Sequence, residues 1–283
     1  MAATSGQKIA LTPATLAEAV AGADDFGHEM RVRALLENNA GAVTHGWTYI
    51  DPVEGKPRQY DIRCALKHHS YPRHLQLAIE CKNLALEAPL IISGTKRTRQ
   101  EAFHDFVVSD GTVGCRIGVM RDDRCNATYP QGHFVGKSVI RFKSIAGKLT
   151  QARDLESEIY NRWTQALASA NDLCKQAGLA GSGQNAKVLT AILPIVVIPD
   201  GSLWVVDYDE KGNAATPCVS DSTTLFLNHE VVVQDRNNWM NLTHIHFLTL
   251  TGLRSFLATL QNPANTWNTW FSDVAKPHKP PVH

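Results

Sequence analysis

No stretch of this chain approaches the ~20 consecutive apolar residues that a membrane-spanning helix requires. The opening MAATSGQKIALTPATLAEAV has neither the basic segment nor the long apolar core of a secretory leader. A cytoplasmic protein with no membrane partner is therefore the expectation. The six cysteines (Cys64, Cys81, Cys115, Cys125, Cys174, Cys218) form no CxxC pair, so neither a disulfide framework nor a zinc site is indicated. Excess charge is also missing, because 28 basic residues face 27 acidic ones for a formal net charge of +1. Any attraction to a polyanion must then come from a local patch and not from bulk charge. No internal repeat is visible. What is present is an ordinary apolar content over 283 residues, enough for a sizeable core.

The hydrophobic pattern predicts a mixed α/β (α+β) protein. A single domain is expected over residues 1–265, followed by a proline-rich tail at 266–283 that ends AKPHKPPVH. Thr12 and Pro13 open a short helix that Gly22 can close, and Asp24 or Asp25 can cap a second helix running to about Asn38. Helical phasing groups Phe26, Met30 and Leu36 on its apolar side, with Glu29 at the edge of that stripe. From Ala42 to about Lys82 three β-rich runs follow, AVTHGWTYI, QYDIRCAL and HLQLAIECK, and they read as an antiparallel meander. A short helix is predicted from Thr98 to Val108 and a long one from about Leu149 to Gln176, while 111–142 carries mixed signals. Further on, VLTAILPIVVIP and SLWVVDYD read as a strand pair turning at Asp200 and Gly201. A strand-like run near Glu230 to Val233 follows, and HIHFLTLTGLRSFLATL reads as a strand feeding a last helix.

The third β-rich run carries chemistry. Leu75, Leu77, Ile79 and Cys81 alternate with Gln76, Ala78, Glu80 and Lys82, so one face is apolar and the other ends in a carboxylate and an amine. Asp61 lies on the neighbouring run, on the face opposite Tyr60, Ile62 and Cys64, and strand pairing can bring it beside Glu80. Two carboxylates and a lysine on one surface suit phosphodiester hydrolysis, where a hard divalent cation takes carboxylate oxygens and an amine offsets developing charge.

Asp61 followed by an apolar strand ending Ile79, Glu80, Cys81, Lys82 resembles the Asp to Glu-x-Lys signature of PD-(D/E)XK nucleases. Tyr60 stands where the family's named proline would be. The resemblance implies a restriction-endonuclease-like core over about 24–207, a central mixed sheet flanked by helices. It implies Asp61, Glu80 and Lys82 as catalytic residues, with Glu29 on the preceding helix completing a Mg2+ or Mn2+ site alongside Asp61 and Glu80. The implied substrate is DNA, with RNA compatible with the same chemistry, and a homodimer is the expectation by analogy. A catalytically silent nucleic-acid-binding or assembly module of the same fold is the alternative.

A Glu-x-Lys on a strand is most often plain surface alternation with a cross-strand ion pair. Here LQLAIECKNL is apolar on both sides of Glu80, and a partly buried acid is costly without a cation or lysine beside it. Glu29 has its own bland reading, a solvated pair with Arg33 one turn on. Lys96, Arg97, Arg99 and Gln100 follow the signature closely in sequence and are candidate substrate contacts, although short basic runs are commonly solvated loops. His68, His69 and His74 fit no zinc spacing and are read as an exposed connection. HFVGKS ends like a phosphate-binding loop, but its first glycine would be Gln131 and a strand-like VIRF follows, which excludes triphosphate binding there.

Overall fold

A computed structural model describes residues 11–23, 25–39, 41–67, 73–84, 86, 88–109, 117–122, 128–145, 148–177, 188–233, 239–260 and 271. Helices α1 (Pro13–Ala23) and α2 (Asp25–Asn39) come first, then strands β1 (Ala42–His45), β2 (Thr48–Ile50), β3 (Pro57–Gln59), β4 (Ile62–Lys67) and β5 (Arg73–Cys81). Next are β6 (Leu90–Lys96), a single 3₁₀ turn (Arg99–Glu101), β7 (His104–Ser109), β8 (Ile117–Asp122), β9 (Phe134–Ile145) and β10 (Lys148–Gln151). Helix α3 (Arg153–Ala177) leads into β11 (Val188–Ile198), β12 (Leu203–Asp207), β13 (Cys218–Val219), β14 (Ser222–Val232), β15 (Trp239–Thr249) and α4 (Leu250–Leu260).

Among the described residues thirteen strands join one mixed sheet, along the path β1-β4-β5-β11-β15-β14-β9-β6-β12-β13, with β10 beside β9 and the β7–β8 hairpin beside β11. Strands β1, β4 and β5 are antiparallel neighbours, whereas β11 runs parallel to β5 on one side and to β15 on the other. Every position of β11 is buried. An unbroken apolar run is what a strand needs when it is paired on both edges and covered on both faces.

Helices cover both faces of the sheet. On one, Val32 and Leu36 of α2 and Leu253, Leu257 and Leu260 of α4 pack against Ile62, Leu77, Ile79, Ile195 and Leu248. On the other, Ala166, Leu167, Ala170, Leu173 and Cys174 of α3 pack against Ala78, Ile192, Val196, Met240 and Phe247. Among the described residues four cysteines are free thiols, with Cys64, Cys81 and Cys174 buried and Cys218 exposed.

Several sequence expectations are corrected. Gly46, at φ 70°, breaks AVTHGWTYI into β1 and β2, and β2 leaves the sheet to form a hairpin with β3. The helix expected from Thr98 to Val108 is one 3₁₀ turn followed by β7, which is held between β8 and β11. The pair expected across Asp200 and Gly201 does not form, because β11 pairs with β5, β7 and β15 while β12 joins β6 and β13. Leu149 belongs to β10, not to the long helix. In α2 the buried residues are His28, Val32 and Leu36, and Phe26 is 55% exposed. His68, His69 and the tail other than Phe271 lie outside the described residues, while His74 is a half-buried member of β5. Phe271 is buried with its ring edge-on to Phe106.

Candidate functional site

The ladder between β4 and β5 pairs Ile62 with Ile79 and Arg63 with Ala78, so Asp61 and Glu80 occupy the next step beyond Ile62 and Ile79. Directly opposed residues of an antiparallel pair share a side, so the two acids flank the end of the ladder. Asp61 sits at the bend before β4, and its Oδ2 accepts the Cys81 amide at 2.8 Å, closing the end of the ladder. Glu80 is 1% exposed, and its charge reaches Tyr49 on β2. That phenol is pushed well up first by burial and then by the charges of Glu80 and Asp51.

Lys82 follows the last residue of β5, and its amide donates to the Val197 carbonyl at 2.9 Å. Its Nζ donates to Asp25 Oδ2 at 3.0 Å, while Asp25 Oδ1 accepts the Asn83 amide at 2.7 Å. Asp25 thus fastens the first turn of α2 onto the exit of β5, and one turn later the helix presents Glu29. His28 adds a further tie, with Nε2 donating to the Val197 carbonyl at 3.2 Å.

Glu29 does not pair with Arg33, whose Nε is bound to Glu37 at 2.8 Å. His45 at the end of β1 donates to Glu29 Oε2 at 3.2 Å, and both side chains are 18% exposed. Burial raises the Glu29 pKa, the Asp61 charge raises it further, and His45 opposes both. Glu29, Asp61, Gly46, Arg58 and Tyr60 share a cavity of about 400 Å³ with Gln165 of α3; Glu80 and Lys82 are not part of its wall. Sequence reading missed Gln165, Arg58 and Asp25 as members of this region. In the sequence Asp25 reads only as a helix cap, and no local pattern distinguishes the other two.

The acids surround one strand end. Burial raises the Cys81 thiol well above its ordinary range, and the charges of Asp61, Glu80, Glu29 and Asp25 add to that in turn. Oxygen donors of this kind suit Mg2+ or Mn2+ in chemistry and charge. Among the described residues no three His, Cys, Asp or Glu side chains are grouped closely enough to hold an ion, so the conformation places the donors as neighbours without converging them on one point.

The basic cluster lies elsewhere. Lys96 ends β6, five strands along the sheet from β5, and Arg99 and Gln100 are exposed on the 3₁₀ turn between β6 and β7. At ~4.8 Å per strand, nearness in sequence to Lys82 is not nearness in space. Arg97 is buried and reaches Thr224 on β14. The chain matches no known protein family, no curated protein and no solved structure.

Proposed function

We propose that this protein is a metal-dependent nuclease of the PD-(D/E)XK type, hydrolysing phosphodiester bonds of DNA. The observation that carries the reading is that Asp61 and Glu80 take the step beyond the last β4–β5 pair, with Lys82 just past β5 and Glu29 lining the same cavity as Asp61. Helix α2, the antiparallel triplet β1-β4-β5, helix α3 and the parallel strand β11 come in the sequence order of a restriction-endonuclease-like core, with β2–β3 inserted before β4 and β6–β10 inserted between β5 and α3. Asp61, Glu80 and Glu29 would hold Mg2+ or Mn2+. When bound, such an ion supplies Lewis acidity and lowers the pKa of a bound water. Asp25 fixes the Lys82 ammonium at the edge of the site, where it offsets charge developing on the phosphate. Cytoplasmic action as a homodimer belongs to the same proposal.

Two observations favour the silent-module alternative: Glu80 is almost wholly buried, and Lys82 is engaged by Asp25. The two readings separate on incubation of the purified chain with plasmid, linear DNA and RNA, with and without Mg2+ or Mn2+. Nicking or linearisation that requires the ion, and falls by at least about a hundredfold in Asp61→Ala and Lys82→Met, is the expected result. Nucleic-acid binding with no cleavage under any ion would establish the module, and cleavage unaffected by both substitutions would overturn the site.

A further inference from the structure

A second cavity, of about 600 Å³, opens among β9, β14, β15 and α4. Glu80 pairs with Val196, and Val197 with Leu248, so the cavity residue Leu248 stands two strands from the β5 end, roughly 10 Å at ~4.8 Å per strand. It lies on the face covered by α4, and both cavities sit toward the carboxyl ends of the parallel strands.

The built part of this cavity is Arg97, 4% exposed and in its wall. Nη1 donates to the Pro130 carbonyl at 3.0 Å and Nη2 to Thr224 Oγ1 at 2.8 Å, with the guanidinium carbon 5.5 Å from the centre of the Tyr129 ring. Tyr129 is itself stacked on His244 at 3.8 Å and hydrogen-bonded to His246 Nε2 at 2.9 Å. A cation is thus fixed in orientation at the wall. Burial first and the Arg97 charge second bring His246 down to about 4 and His244 to about 2, so neither imidazole is charged at neutral pH. The rest of the lining includes a carboxylate with hydroxyls (Asp221, Ser222, Ser255), two aromatic rings (Phe134, Phe256) and His133.

We propose that this cavity binds a nucleotide-sized phosphate ester, with the phosphate at Arg97, the sugar hydroxyls toward Asp221 and the serines, and the base against Phe134 and Phe256. A planar guanidinium held in place favours the forked geometry of phosphate oxygens. The volume is in the range of clefts that enclose small ligands. The same chemistry is offered by a free nucleotide or by the terminal nucleotide of a strand. The proposal does not depend on hydrolysis at the Asp61 site.

Calorimetric titration of the full chain without divalent metal tests it, using adenosine monophosphate, adenosine and a four-residue DNA oligonucleotide as probes. The monophosphate should bind at least about tenfold more tightly than adenosine. Ser255→Trp, a substitution at an exposed position of α4 that fills the cavity, should abolish binding while leaving the circular dichroism spectrum unchanged. Arg97→Lys should weaken the monophosphate and not adenosine. An oligonucleotide that binds more tightly than the monophosphate identifies a strand end as the ligand, and one that binds no better identifies the free nucleotide. Absence of binding at millimolar monophosphate, equal affinity for adenosine, or unchanged binding in both Ser255→Trp and Thr259→Trp overturns the proposal.

Discussion

Glu29 holds its proton to higher pH than a glutamate in water, because it is largely buried and Asp61 carries a like charge beside it. A carboxyl whose pKa is raised on folding adds stability while it is protonated, and that contribution is lost as pH rises through the folded-state value. At neutral pH the ionised Glu29 therefore works against folding in the metal-free protein. Glu29→Gln keeps an oxygen that can accept from His45 and removes the charge. The substituted protein should match or exceed the wild-type melting temperature at pH 7, with the difference shrinking toward pH 4. Melting curves at the two pH values check this. A lower melting temperature at pH 7 would mean that the ionised carboxylate contributes to the fold. The same substitution should raise the Mn2+ concentration needed for cleavage, which a carboxylate with no part in the site would leave untouched.

Among the elements, β4 depends on one residue that no motif flags. Arg63 lies over the rings of Tyr49 and Tyr60 at 5.0 and 4.1 Å, and donates to Ser169 Oγ at 3.0 Å and Asp172 Oδ2 at 2.8 Å on α3. It joins the strand that begins beside Asp61 to the helix that carries Gln165. Arg63→Ala leaves Asp172 and two phenol rings without that partner and should cost about 3 kcal/mol, read from urea unfolding. A loss below about 1 kcal/mol would show that Arg63 is dispensable to the packing. Such ties between distant elements are where sequence reading stops. The start of α2 at Asp25 and the period-two alternation of β5 were legible because capping and pleat are local. The helix expected from Thr98 does begin, with Glu101 Oε2 accepting the Thr98 amide at 2.8 Å, but only one turn follows before β8 and β11 claim the next residues as a strand. The apolar stripe of α2 was misphased because His28 is buried by a hydrogen bond to Val197, across 169 positions. Likewise Asp200 and Gly201 give a genuine turn, yet β11 is paired on both edges, which leaves β12 no place beside it.

Across the whole molecule, acidic groups concentrate at the carboxyl end of β5, next to the parallel strand β11, while α2 and α3 approach from opposite faces to supply Glu29 and Gln165. Open sheets with parallel strands place ligands at such ends, and here the location carries an energetic consequence. Like charges held close by the fold oppose folding, and an ion bound only by the folded chain reverses that opposition. Binding should therefore be visible as stability, without any substrate. At an ion concentration a hundredfold above the dissociation constant, the gain is about 2.7 kcal/mol. For a chain of this size that corresponds to a rise of several degrees in melting temperature. Wild-type protein should show this rise with Mn2+, while an Asp61→Ala, Glu80→Ala double variant should start from a different melting temperature and respond little. Glu29→Gln should respond at higher ion concentration. Potassium chloride at matched ionic strength separates specific binding from screening, since screening acts on the exposed charges of every variant alike. If all three proteins shift equally with Mn2+, or if the wild type does not shift at all, the acids at the end of β5 are not a metal site.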